Sequence, residues 1–135
     1  MVRFPMTLLP CDSPATPLKA VLVYDKRDPL AVRLTFLQGS RETVSYVFGR
    51  DLLAEGLDQR AGLADVVVEP HAELPQEWLL LVLRPESGLP FELYMSRAPV
   101  ETAVTAMYRL VPMGREQVGA AVDEAIARIF AGEAA

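Results

Sequence analysis

Apolar side chains recur along this chain with two different periods. Leu30, Val32, Leu34 and Phe36 alternate with Arg33 and Thr35, the two-residue repeat of a half-buried strand. Leu18 to Tyr24, just before it, is more fully apolar and predicts another strand. Asp25-Lys-Arg-Asp-Pro29 joins them as a turn, with aspartate to bond the local backbone and proline to fix one φ. Gln38-Gly-Ser-Arg41 reads as a hairpin connection, and Thr43 to Phe48 follows with Val44, Tyr46 and Phe48 on one face. At Gly49 the period changes. Arg50 to Leu57 predicts a short helix, ended by Gly56 in a left-handed cap.

The second half repeats that plan. Ala61 to Ala64 reads as a loop, and Asp65 to Glu69 as a short Val-rich strand stopped by Pro70. Glu77 to Arg84 contains Trp-Leu-Leu-Leu-Val-Leu, which predicts a strand buried on both faces. Pro85 to Gly88 is a turn, and Phe91, Leu93 and Met95 alternate with Glu92 and Tyr94 in a further strand. Pro99 opens a helix where its missing N–H costs little. Val100, Ala103, Val104, Met107 and Val111 lie on one face of it, and Pro112 and Gly114 end it. A last helix runs from about Arg115 to Ala131, with Val118, Val122, Ala125, Ile126 and Ile129 at helical spacing. Val2 to Leu9 is a candidate for one more strand. The expectation is an α+β chain: about seven antiparallel strands, one short helix and two longer ones, in a single domain over residues 1–135.

Composition narrows the class. A chain of 135 residues buries roughly two-thirds of its unfolded surface, enough for a core without disulfide or metal support. A hydrophobic content of 51% excludes disorder. The longest apolar run, Trp78 to Leu83, falls far short of the roughly 20 residues a bilayer needs. The N-terminus lacks the apolar stretch of a signal peptide, so the expected location is the cytoplasm. Thirteen basic and eighteen acidic residues give a net charge of −5. Residues 1–70 carry 8 basic and 9 acidic side chains and residues 71–135 carry 5 and 9, so a cationic surface belongs in the first half. The apolar content also exceeds what a monomer of this size requires, which points to an oligomer.

Candidate chemistry is sparse. The lone Cys11 cannot pair within the chain, and one cysteine with one histidine cannot build a tetrahedral Cys/His zinc site. His71 follows Pro70 in a loop, without the Gly-x-Ser-x-Gly elbow of a serine hydrolase. Glycines are scattered singly and form no phosphate loop. Asp25 and Asp28 read as turn-capping groups rather than an acid/base pair. Asp51 suits the first turn of a helix, whereas Arg50 opposes the helix dipole there and needs another explanation. No enzyme, cofactor or metal is expected.

The stretch Tyr24 to Leu57 resembles the SsgA-like proteins of sporulating actinomycetes. The resemblance rests on Tyr24, Asp25, Asp28, Pro29, Ala31, Val32, Phe36, Val44, Tyr46, Phe48, Arg50, Asp51, Leu52, Leu53 and Gly56. It departs from the family pattern at Leu30, where an aromatic is common, at Tyr46, where Trp is usual, and at Gly49, where Ala is usual. It implies a non-catalytic regulator or scaffold of sporulation-specific cell division, acting at the septum. Such a protein positions or recruits the division machinery, including the tubulin-like GTPase FtsZ, or controls septal peptidoglycan. The implied partners are FtsZ or another SsgA-like protein, and the implied fold is whirly-like: two sheets with helices, assembled as a homotrimer. The candidate partner-binding surface is Lys26, Arg27, Arg41, Glu42 and Arg50. A whirly-like fold carries the alternative of single-stranded nucleic-acid binding. Asp25, Asp28, Glu42 and Asp51 interleave with the cations, however, and such a mixture reads as a solvated face rather than a phosphate track.

Overall fold

The computed structural model describes residues 1–62, 65–85 and 88–115. Seven strands and two helices follow in the order β1 (Val2–Pro10), β2 (Leu18–Tyr24), β3 (Ala31–Gln38), β4 (Arg41–Gly49), α1 (Arg50–Glu55), β5 (Val66–Pro70), β6 (Trp78–Leu83), β7 (Phe91–Ser96) and α2 (Arg97–Leu110). The α+β reading and the strand count hold. The expected last helix lies beyond Arg115, outside the described residues.

The strands form one antiparallel sheet in the order β4-β3-β2-β1-β7-β6-β5, rather than two separate sheets. The join is β1, whose nine residues are long enough to pair twice. Val2 to Leu8 run beside β2, and Leu8 to Pro10 run beside β7. Each half of the sheet is a meander of neighbours in sequence, because short turns allow only antiparallel partners. Gly39 takes φ +65° in the two-residue loop between β3 and β4, a conformation such a hairpin demands.

One face of the sheet packs on the helices. Met6, Leu8, Leu22, Tyr24, Val32 and Leu34 from the first half meet Val68, Leu79, Leu81, Leu93 and Met95 from the second around Leu53, Val100, Ala103 and Met107. The opposite face is buried in places as well. Val21 and Thr35 sit at 5% and 1% exposure although they lie outside that core. Arg3 on β1 reaches Glu42 on β4 across the two strands between them, along a line that crosses Val21 and Thr35.

Three local expectations change. Leu30 precedes β3 and is exposed, because Pro29 and the turn before it delay the strand to Ala31. Gly56 is right-handed, with φ −63°, so a left-handed cap is not its reason. A Cβ there would stand 2.5 Å from Val68 Cγ1: glycine lets the end of α1 touch β5. Helix α2 begins at Arg97, so Pro99 lies within its first turn, where the helix bonds no N–H in any case.

Candidate functional site

Two arginines fix α2 at its two ends. Arg50 is fully buried. Its Nη1 donates to the carbonyls of Val111 (2.6 Å) and Met107 (3.4 Å) and to the Tyr24 hydroxyl (3.1 Å). The guanidinium carbon lies 4.1 Å from the centre of the Tyr108 ring. The Tyr108 hydroxyl in turn donates to Asp51. Tyr24 donates onward to the Pro29 carbonyl at 2.8 Å, so the first turn of the sheet joins the same network. The puzzle of a cation at the start of α1 is resolved here. Arg50 serves the negative, carbonyl-rich end of α2 rather than the helix it begins.

Arg97 does the same work at the other end. Its side chain is 12% exposed, donates to the Pro75 carbonyl at 3.0 Å and to Leu57 O at 2.5 Å, and pairs with Glu101 and Asp58. Sequence reasoning missed it. An arginine just before an expected helix start is a surface residue by default, and nothing in its neighbours marks Leu57 and Pro75 as its acceptors.

The candidate surface therefore loses one member. Arg50 is no surface group, because the cation is consumed by backbone carbonyls inside the molecule. The other four are exposed, but the fold separates them. Lys26 and Arg27 occupy the β2–β3 turn, and Arg41 and Glu42 the start of β4. The length of β3 keeps the two sites about 25 Å apart. Two of the four are also committed. Arg27 donates to Asp25 from its backbone N–H at 2.9 Å and from its guanidinium at 2.8 and 3.1 Å. That pairing holds the Asp25 carboxyl far below the usual carboxylate range and raises Arg27. Glu42 pairs with Arg3 at 3.2 Å. Lys26 and Arg41 make no ion pair among the described residues.

The remaining reactive side chains gather on the outward face of the second half. His71 Nδ1 accepts the backbone N–H groups of Glu73 (3.1 Å) and Leu74 (3.0 Å), so the ring caps its own turn. It lies 5.2 Å from the Tyr94 ring. Burial pushes the Cys11 thiol up, against the opposing effect of a hydrogen bond with Tyr94, which makes it a poor nucleophile. Among the described residues no three His, Cys, Asp or Glu side chains converge as metal ligands. No helix among them is long and apolar enough to cross a membrane.

Comparison with known proteins agrees with this frame. The family model described as Streptomyces sporulation and cell division protein, SsgA, matches residues 18–116. The sporulation-specific cell division protein SsgB of Saccharopolyspora erythraea is 35% identical over 123 residues, covering 91% of this chain and 86% of its own. The SsgB protein of Salinispora tropica is 37% identical over 134 residues, 97% and 92% of the two chains. A solved structure from work on SsgB mutations and longitudinal cell division during sporulation of Streptomyces coelicolor superposes with TM-score 0.74 and 35% identity, over 85% of this chain and 90% of that one. The match spans β2 to α2, including both arginine-pinned ends of that helix, and the chain belongs to the SsgA family of sporulation and cell division proteins.

Proposed function

We propose that this protein is a non-catalytic scaffold of sporulation-specific cell division, working in the cytoplasm at the septum. It recruits or positions the division machinery, with FtsZ or a second SsgA-like protein as its direct partner. The observation that carries the reading is the family match across nearly the whole described fold, together with relatives named for that process. A recognition role asks only for a rigid body with exposed, uncommitted groups. Lys26 and Arg41 are such groups, held at opposite ends of β3. Assembly as a homotrimer would repeat each weak contact three times. The resulting rise in effective concentration lets modest contacts hold a polymer.

The test is a fluorescent fusion carrying Lys26→Glu and Arg41→Glu together, expressed in a sporulating host. Recruitment to septa is expected to fall while the purified protein keeps its unfolding midpoint. Unchanged recruitment removes these two residues from the partner surface.

A further inference from the structure

The two edges of the sheet are treated differently. At one end, β5 is covered: Ala61 exchanges backbone hydrogen bonds with Val68 at 2.8 and 2.9 Å, and Arg60 pairs with Glu69 beside it. At the other end, β4 has no second strand and no backbone hydrogen-bond partner on its outer side among the described residues. The register shows which groups it leaves open. Arg50 N donates to Leu30 O at 2.9 Å, so positions 30 and 50 form a hydrogen-bonded pair. Pairs alternate along an antiparallel ladder, so Val32–Phe48 and Leu34–Tyr46 are bonded, while Arg33–Val47 and Thr35–Ser45 are not. The N–H and C=O groups of Val47 and Ser45 therefore point away from β3, into the open edge. Val44 and Val47 are 52% and 62% exposed along it. A bulge between Glu42 and Ser45 and the charges of Arg41 and Glu42 blunt the start of β4, so the open run is Ser45 to Gly49.

Beside that edge lies an apolar groove of about 430 Å³, lined by Phe36, Val44 and Tyr46 on one side and Leu83, Pro85 and Phe91 on the other. A strand added to β4 would point every second side chain toward it. The charge around the edge is the reverse of the whole molecule's. β3 and β4 carry Arg33, Arg41 and Glu42 in a chain of net charge −5. Glu42 is paired with Arg3. Arg33, cross-strand from Val47, and Arg41, cross-strand from the groove-lining Gln38, are exposed and make no ion pair among the described residues.

From this juxtaposition we propose that the open edge of β4 is a docking site for an extended, acidic segment of a partner protein. The segment adds as a further strand, bonded to the backbone of Val47 and Ser45. Its alternate apolar side chains fill the groove, whose end Arg41 borders, and the carboxylates between them meet Arg33 on the other face. This mode of recognition takes affinity from main-chain bonds and selectivity from alternate pockets. It rests on the reading above only in giving Arg41 a partner-binding role.

The experiment uses the purified full chain and a fluorescein-labelled decapeptide in which Val and Phe alternate with Asp and Glu. A counterpart with Lys for the acids and a labelled oligothymidine are the controls. Val47→Pro removes an edge donor without removing a ladder bond, and proline is tolerated on edge strands. The acidic peptide is expected to bind in anisotropy titrations, and the lysine peptide is not. Folded Val47→Pro should lose at least about tenfold in affinity, the worth of one lost backbone bond. Arg33→Glu, which leaves the backbone intact, should weaken binding several-fold and decides the matter if Val47→Pro does not fold. Undiminished binding by folded Val47→Pro or by Arg33→Glu overturns the proposal. So does no peptide binding up to about 1 mM, or binding of the oligothymidine in its place. Loss of an oligomer in Val47→Pro without peptide binding would assign the edge to a second copy, and overturn it equally. Because these readings are made in vitro, failure here leaves the septal role standing, and failure of septal recruitment leaves this test intact.

Discussion

Arg50 carries the strongest residue-level consequence. Its bonds to Tyr24, Met107 and Val111 are made by a fully buried cation, two of them to buried groups and one to a half-buried carbonyl. Hydrogen bonds to charged groups are worth about 1.5–3 kcal/mol each, and truncation takes from the half-buried Val111 carbonyl the donor that Arg50 supplies. Arg50→Met is expected to lower stability by about 3 kcal/mol in urea unfolding. Arg50→Lys should recover only part, because an ammonium placed at the Val111 carbonyl has no planar group to lie over the Tyr108 ring. A loss below about 1 kcal/mol would show that the carbonyls find other donors. The Asp25–Arg27 pair predicts a pH effect. Arg27 depresses the folded-state carboxyl of Asp25, so the stabilisation is present above the ordinary value of 3.8 and disappears as pH falls below it. Asp25→Asn should therefore flatten the loss of stability between about pH 5 and 2, most at low salt because the pair is exposed. The sequence shows that Arg50 is out of place at a helix start, but not where it goes. Its acceptors are 57 and 61 residues away, and only the packing of α2 brings them together.

Elements were more legible than their junctions. The alternation from Val32 to Phe36, the apolar run from Trp78 to Leu83 and the helical face of Val100, Ala103 and Met107 all mark real elements, because burial on one face imposes its period on sequence. The double pairing of β1 was not legible, since a strand that serves two neighbours looks like any other long strand. Nor was the role of Gly56, where the reason lies in a residue twelve positions on. Gly56→Ala puts a methyl against Val68 and is expected to cost about 1–3 kcal/mol as an overpacked contact. Adding Val68→Ala should recover part of that loss. If the two substitutions simply add in thermal unfolding, the contact is not what selects glycine.

At the scale of the molecule, the fold reads as a rigid body with one open side. Arg50 and Arg97 pin α2 at each end, β5 is covered, and β4 is open. Charge follows the same division, with cations uncommitted at the two ends of β3 in an otherwise acidic chain. Clustering of basic residues in the first half was visible in sequence. Their separation along β3 and the withdrawal of Arg50 into the core were not, since both depend on which strand ends share a side of the sheet. The proposed role, recruiting or positioning the division machinery, is tested most directly by time-lapse imaging of a functional fluorescent fusion in its sporulating host. The account predicts regular ladders of foci that appear before septa become visible. A diffuse or nucleoid-shaped signal through septation would contradict it.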